Sequence, residues 1–181
     1  MREQGRNIIL TGFMATGKTA VGMRLAERLG YAFVDLDGLI EAEGGMSISQ
    51  RIAARGEAAV REMESRLVER VALQRRCVIA TGGGTVAIAA NLLALKQSGV
   101  VVTLTADLET LLARLGTGAD QAFVRGENLR ARVEQLLAER RAAYAQADVT
   151  VDTTARTVEE TVDCILHAVK AGPFRAPKSA S

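Results

Sequence analysis

The residues best suited to chemistry follow the first apolar segment of the chain. Residues 12–19 fit the pattern G-x-x-x-x-G-K-[ST], in which backbone NH groups surround nucleotide phosphates at the start of a helix. In this pattern the ammonium of Lys18 reaches the terminal phosphates, and the hydroxyl of Thr19 is placed to bind Mg²⁺. The segment therefore predicts a phosphate-binding loop. The predicted nucleotide contacts are Gly12, Ala15, Thr16, Gly17, Lys18, Thr19 and Ala20.

The elements on either side of this loop agree with the pattern. Residues 8–11 are a β-branched, apolar run that is typical of a buried strand. Val21, Leu25 and Leu29 repeat every four residues, as one face of a helix does, and Gly30 is a helix-ending residue. A glycine-rich turn that matched the pattern by chance would lack this strand and helix.

Two acids follow the second predicted strand, residues 32–35. Asp35 and Asp37 lie two residues apart, and they fit two roles in phosphoryl transfer. One carboxylate would lie near the water shell of Mg²⁺, and the other would hydrogen-bond or deprotonate an alcohol. The alternative is that Asp37 only caps the next helix.

Three glycines, Gly82, Gly83 and Gly84, directly follow the third predicted strand. Consecutive glycines weaken the local backbone, which is reasonable where another group must approach it closely. We expect backbone NH groups there to hold a substrate. A plain turn is the alternative.

Two arginines stand out by their positions. Arg140 lies on the apolar stripe of a predicted helix, where a charge needs an anionic partner, either a protein carboxylate or a substrate carboxylate held by two hydrogen bonds. Arg61 lies four residues after Glu57 and three before Glu64, so it fits a substrate contact or an ordinary helical salt-bridge ladder equally well.

The overall composition limits the function. A net charge of +2 and only six aromatic residues give little support to a nucleic-acid surface. Cys77 and Cys164 lack metal-ligand spacing and are expected to be reduced thiols. With no signal segment and no apolar run of membrane-spanning length, the sequence predicts a cytoplasmic protein with small-molecule partners.

Five short apolar segments alternate with helical patterns along the 181 residues. This alternation predicts an α/β fold, in which a mainly parallel sheet is covered by helices on both faces. In such sheets ligands bind beyond the carboxyl ends of the strands, where the phosphate loop, the two acids and the glycines would meet. We expect a single domain over residues 1–172, with a helical substrate-binding insertion at about 36–64, a mobile lid at about 116–128 and a disordered tail at 173–181.

These motifs together resemble those of the shikimate kinases. The resemblance covers residues 7–166 and includes the phosphate loop, the segments 33–37 and 80–84, Gly56-Glu57 before Arg61, and Arg140 before Tyr144. It implies a P-loop fold like that of nucleoside monophosphate kinases, with three α/β/α layers and strand order 2-3-1-4-5. It also implies ATP- and Mg²⁺-dependent phosphorylation of the 3-hydroxyl of shikimate, a step towards chorismate and the aromatic amino acids, by a monomer.

By position, the resemblance implies that Asp37 binds the substrate hydroxyls and that Asp35 and Thr19 lie near Mg²⁺. Arg61 and Arg140 resemble the pair that binds the carboxylate, and Arg114 resembles an arginine that stacks on adenine. The implied substrate contacts are Asp37, Arg61, Gly82, Gly83, Gly84 and Arg140. The implied catalytic residues are Lys18, Asp35, Asp37 and Arg125.

The lid departs from the family pattern. Residues 121–124 read Gln-Ala-Phe-Val where the family usually carries Arg-Pro-Leu-Leu, and a neutral glutamine cannot replace that arginine's charge. Arg125, four positions further on, is our hypothesis for the missing cation. The departure also keeps two alternatives open: a kinase for another polyhydroxylated acid, and a nucleotide-binding protein with little catalysis.

Overall fold

Five parallel strands form one sheet in the computed structural model, which describes residues 5–116 and 128–171. The strands are β1 (Asn7–Gly12), β2 (Ala32–Asp35), β3 (Cys77–Ala80), β4 (Gly99–Thr105) and β5 (Val149–Asp152). Their order is β2-β3-β1-β4-β5, which confirms the order that the resemblance implied. The central position of β1 places the loop after it between the ends of β3 and β4.

Helices cover both faces of this sheet. They are α1 (Lys18–Leu29), α2 (Leu36–Gly44), α3 (Ile48–Ala72), α4 (Ala89–Ser98), α5 (Leu108–Leu115), α6 (Leu129–Tyr144) and α7 (Val158–Ala171). One turn of 3₁₀ helix, Thr85–Ala87, precedes α4. The predicted positions of the other elements agree with the structure to within a few residues.

Alternation along the strands divides the core into two clusters. Ile9 of β1 packs with α2 to α6 on one face, whereas Ile8 and Leu10 pack with α1 and α7 on the other. All three are at most 4% exposed. Full burial of such a side chain contributes about 1.5–3 kcal/mol. The strands are therefore held in place from both sides, which gives the loops at their ends a rigid base.

The predicted helical insertion corresponds to α2 and the first part of α3. Gly45 ends α2 with φ 63°, and Ser47 begins α3 with a capping box completed by Gln50. Gly56 interrupts α3 with φ 80° and ψ 165°. Gly45 therefore separates α2 from α3, and Gly56 divides α3 into two parts.

Most of the predicted lid and the whole predicted tail lie outside the described residues. Gly116 follows α5, and the side chain of Asn128 caps α6 by accepting a hydrogen bond from Ala131 N at 3.1 Å. Across residues 5–116 and 128–171, no helix has the length and apolar character needed to cross a membrane.

Candidate active site

The loop between β1 and α1 has the backbone geometry that its glycines predict. Gly12 has φ 132°, and a Cβ atom at this position would overlap the carbonyl oxygen of Leu104 in the neighbouring strand. Gly17 has φ 92° and forms the N-cap of α1. Ala15 has φ 61°, a left-handed conformation that costs a residue with a Cβ about 1–2 kcal/mol. The loop therefore accommodates alanine at a position where glycine would adopt the same conformation without this cost.

Hydrogen bonds within the loop fold it back on itself. Lys18 Nζ donates to Gly12 O at 3.0 Å and to Phe13 O at 2.8 Å, and Thr16 Oγ1 donates to Phe13 O at 2.8 Å. The Lys18 ammonium is therefore held across the mouth of the loop, where a nucleotide's terminal phosphates bind in this motif.

Thr19 and Asp35 place two oxygen ligands side by side at the ends of neighbouring elements. Thr19 Oγ1 donates to Asp35 Oδ2 at 3.1 Å. Asp35 Oδ1 accepts hydrogen bonds from the backbone NH groups of Asp37, at 3.1 Å, and Gly38, at 3.4 Å. Asp35 therefore caps α2, a role that the sequence had suggested as an alternative for Asp37. The side chain of Asp37 is therefore not the cap of α2.

The chemistry of the Thr19–Asp35 pair fits Mg²⁺. A hydroxyl and a carboxylate are hard oxygen ligands, and Mg²⁺ beside a nucleotide typically takes only one or two ligands from the protein, with phosphates and waters completing the octahedron. Within residues 5–116 and 128–171 there is no group of three or more His, Cys, Asp or Glu residues that could hold a metal ion without such help.

Charged side chains from α2, α3 and α6 converge on the three glycines after β3. A Cβ atom on Gly82 would lie 2.8 Å from Asp37 Oδ1, and one on Gly84 would lie 2.6 Å from Arg61 Nη1. A Cβ atom on Gly83 would lie 2.8 Å from a nitrogen of Arg140 and 3.6 Å from Gly12 O in the phosphate loop. The segment forms a turn, with Thr85 N donating to Gly82 O at 3.2 Å, and each of its glycines also makes room for a charged side chain.

Arg61 is held in place by two carboxylates. Its guanidinium contacts Glu57 Oε1 and Glu64 Oε2, each at 3.0 Å. Burial acts to lower the pKa of Arg61, but the hydrogen bonds and charges of Glu64 and Glu57 outweigh it, so the pKa lies above its ordinary value. Glu64 is only 2% exposed and also accepts a hydrogen bond from Thr85 Oγ1. The predicted ladder is present, and it also positions Arg61 beside Gly84.

Arg140 lies half-buried at the end of the same surface. Its Cζ atom lies 5.7 Å from the centre of the Phe13 ring, in cation–π contact with the phosphate loop. In the part of the chain that the structure describes, it forms no ion pair with a carboxylate. The first of its two alternatives, pairing with a protein carboxylate, is therefore not found among these residues.

Tyr144, one turn after Arg140, anchors the glycine segment. Its hydroxyl donates to Gly83 O at 2.6 Å. Burial raises the pKa of this hydroxyl, and the charge of Arg140 acts in the opposite direction without cancelling the effect. The hydroxyl consequently keeps its proton at neutral pH and remains a hydrogen-bond donor.

Arg114 joins α5 to the phosphate loop. Its Nη1 donates to Ala15 O and to Thr153 Oγ1, each at 3.2 Å, and its Nη2 donates to Thr153 O at 2.9 Å. Thr153 Oγ1 also lies 3.3 Å from Thr16 O. Arg114 is thus at the nucleotide end of the site, as predicted, while stacking on adenine stays a prediction.

The structure brings Asp37, Arg61, Arg140 and the phosphate loop together around the glycine segment after β3, and what each of them does there stays a prediction. Arg125 lies outside the described residues, so its predicted role is untested. Sequence reasoning missed the site contributions of Phe13, Thr85 and Thr153. Only Thr85 carried a usable signal, since it directly follows the three glycines.

The phosphate loop and the charged surface share one end of the parallel sheet, so the fold and the site define a P-loop kinase that acts on a small molecule. The family model for shikimate kinase matches residues 14–170. The shikimate kinase of Geobacter metallireducens is 43% identical over 157 residues, which are 87% of this chain and 88% of that protein. The shikimate kinase of Geobacter sulfurreducens is 42% identical over 168 residues, covering 93% of each protein.

A solved structure agrees with these relatives. The shikimate kinase of Acinetobacter baumannii, in complex with shikimate, superposes with a TM-score of 0.90 at 32% identity, covering 96% of this chain and 97% of that one. The chain therefore belongs to the shikimate kinase family, and it is an ATP-dependent phosphotransferase.

Proposed function

We propose that this protein transfers the γ-phosphate of ATP to the 3-hydroxyl of shikimate, with the phosphate loop holding ATP and the surface around Gly82–Gly84 holding the acid. The observation that carries the proposal is Arg140, a half-buried guanidinium that contacts Phe13 of the phosphate loop and forms no ion pair within residues 5–116 and 128–171. A charge in such a place calls for an anion. The carboxylate of shikimate supplies one.

Two guanidiniums share this carboxylate in the proposal. Arg61 is fixed by Glu57 and Glu64, and Arg140 approaches Gly83 from α6. Arginine suits the task because its planar group forms two parallel hydrogen bonds with a carboxylate. The exposed backbone of the three glycines lets the ring of the acid come close.

Asp37 has the role of binding the acceptor hydroxyl. Its carboxylate lies over Gly82, and Asp35, not Asp37, caps α2. A carboxylate there orients the hydroxyl towards the γ-phosphate and accepts its proton as the phosphoryl group moves. Lys18 neutralises charge on the phosphates from the other side.

Thr19 and Asp35 would hold Mg²⁺ in this arrangement, Thr19 directly and Asp35 directly or through a water molecule. When bound, the ion neutralises charge on the β- and γ-phosphates. Arg125 is proposed as the lid cation, and Arg114 as the contact to adenine. A monomer and a cytoplasmic location complete the proposal.

The experiment is an ADP-release assay with ATP, Mg²⁺ and one acid at a time: shikimate, or a panel of other polyhydroxylated acids. We expect turnover with shikimate, and a ³¹P spectrum that places the phosphate on the 3-hydroxyl. Turnover with another acid but not with shikimate would contradict the proposed substrate. ATP binding without turnover on any acid would contradict the catalytic roles.

A further inference from the structure

A cavity lies between α2 and α3, and it is lined by residues that the candidate active site does not use. Its volume is about 510 Å³. Four arginines and one glutamate line it, together with small and apolar residues, so its walls carry an excess of positive charge. The charged lining residues are Glu43, Arg51, Arg55, Arg66 and Arg70. We refer to it as the α2–α3 cavity.

Arg51 is the unusual member of this group. It is only 9% exposed, and its Nε atom is buried without a hydrogen-bond partner. In the described part of the chain its guanidinium makes no hydrogen bond or ion pair. A Cβ atom on Gly44 would overlap Arg51 Nη2, so a glycine in α2 leaves room for this guanidinium. Residues 5–116 and 128–171 accommodate a buried cation here and give it no anion.

The neighbouring carboxylates are occupied elsewhere. Glu43 forms an ion pair with Arg70, and Glu62 lies 3.6 Å from Arg66 at the exposed surface. The C-terminal end of α2 carries partial negative charge, which favours a nearby cation. No carbonyl oxygen at this end of α2 accepts a hydrogen bond from Arg51, however. The NH groups of the guanidinium can therefore donate to a ligand. Burial of a charge without such bonds is unfavourable.

We propose that the α2–α3 cavity binds a small oxyanion ligand, a phosphate or carboxylate group held on the guanidinium of Arg51, with Arg55 and Arg66 at the rim. A guanidinium with free NH groups is suited to both kinds of group, because each offers two oxygens at matching spacing. A cavity of this size accommodates a small metabolite. The proposal does not depend on the identity of the phosphoryl acceptor, since no residue of the candidate active site lines the cavity.

The test is a titration of the wild-type protein with inorganic phosphate and, separately, with succinate, with ADP present at a saturating concentration. ADP occupies the diphosphate positions of the phosphate loop, and the variants below separate binding at Arg51 from binding at the γ-phosphate position or at Arg61 and Arg140. Sodium chloride at matched ionic strength is the reference. We expect one or both oxyanions to raise the Tm by a few degrees and to bind with one-to-one stoichiometry in calorimetry. The oxyanion with the higher affinity shows whether the cavity prefers a phosphate or a carboxylate group.

Two variants locate the site. Arg51→Leu should weaken oxyanion binding by about tenfold or more, because it removes the buried guanidinium, and it is expected to fold since an apolar side chain suits the buried position. Arg132→Leu, on the exposed surface of α6, should keep the wild-type affinity. If Arg51→Leu does not fold, the double variant Arg55→Ala, Arg66→Ala should still weaken binding severalfold.

Three results would overturn the proposal: no Tm shift with either oxyanion beyond the chloride reference, the same affinity in Arg51→Leu as in the wild type, or equal losses in Arg51→Leu and Arg132→Leu.

Discussion

In the proposed function, single residues at the glycine segment carry the recognition of the acid. Arg140→Ala removes one of two guanidiniums proposed to bind the carboxylate, and a charged hydrogen bond of this kind contributes about 1.5–3 kcal/mol. We therefore expect the KM for shikimate to rise about 10- to 100-fold, while the Kd for a non-hydrolysable ATP analogue stays close to the wild-type value. Steady-state kinetics and calorimetry measure the two quantities.

Arg132→Ala is the matched control, because this arginine lies on α6 as well but is exposed and, among the described residues, donates only to Gln135. It should change neither constant. An unchanged KM in Arg140→Ala would remove this residue from carboxylate binding.

Tyr144 illustrates a residue that shapes the site without touching the reacting atoms. Tyr144→Phe deletes the hydroxyl that donates to Gly83 O at 2.6 Å. We expect the free energy of unfolding to fall by about 0.5–1.5 kcal/mol, measured by urea denaturation. The chain has two tyrosines, and Tyr31→Phe is the control, since its ring packs on Arg76 and its hydroxyl makes no hydrogen bond with a described residue. Equal losses in the two variants would show that the Gly83 bond contributes nothing specific.

At the scale of elements, local signals in the sequence predicted most of the structure. The five strands, the Asp107 cap of α5 and the glycines that end α1 and α2 are all local effects of residue type on backbone geometry. The choice between Asp35 and Asp37 as cap of α2 was not predictable. Both are good caps, and the outcome depends on where β2 ends against β3. The link from Arg114 to Thr153 spans 39 residues, so no local pattern could show it.

Gly56 divides α3 into a part that carries Arg51 and a part that carries Arg61 and Glu64, and both parts line the α2–α3 cavity. Its φ of 80° and ψ of 165° lie in a region used almost only by glycine. Gly56→Ala should lower the free energy of unfolding by about 1–3 kcal/mol through backbone strain alone, because no atom lies within 4 Å of the added Cβ. Urea denaturation measures the loss.

Gly38→Ala in α2 is the matched control for Gly56→Ala. This glycine is helical, and its added Cβ would lie at 3.7 Å from Asp35 Cβ, an ordinary contact. It should be neutral or stabilising by about 0.5–1 kcal/mol. If both variants had the same effect, the strained conformation at Gly56 would have no energetic role.

The lid region yields a prediction from the sequence. Arg125→Ala should lower kcat by roughly 10³-fold if this arginine stabilises the transferring phosphate. Arg130→Ala, which removes exposed ion pairs with Glu109 and Glu134, should leave kcat unchanged. Restoration of kcat by Gln121→Arg in the Arg125→Ala background would show that the site needs one cation and accepts it from either position. Equal kcat in Arg125→Ala and the wild type would reject the hypothesis.

At the scale of the whole molecule, the sheet brings together two binding surfaces that belong to different elements. The phosphate loop joins β1 to α1, whereas the surface proposed for the acid is built from α2, α3, α6 and the segment after β3. Among the described residues, Phe13 and Gly12 O lie between them, and Asp35 links Thr19 to the NH group of Asp37. The two ligands should therefore bind and stabilise the protein largely independently.

Lys18→Ala tests this independence. A ligand at 100 times its Kd stabilises the folded protein by about 2.7 kcal/mol, which for a chain of this size raises the Tm by about 5–10 °C. We expect ADP and shikimate each to produce such a shift in the wild type. Lys18→Ala should lose most of the ADP shift and keep the shikimate shift, and Arg140→Ala should do the reverse, as measured by thermal unfolding. Loss of both shifts in Lys18→Ala would mean that the acid binds only after the nucleotide has organised its surface, and that the two surfaces are not separate.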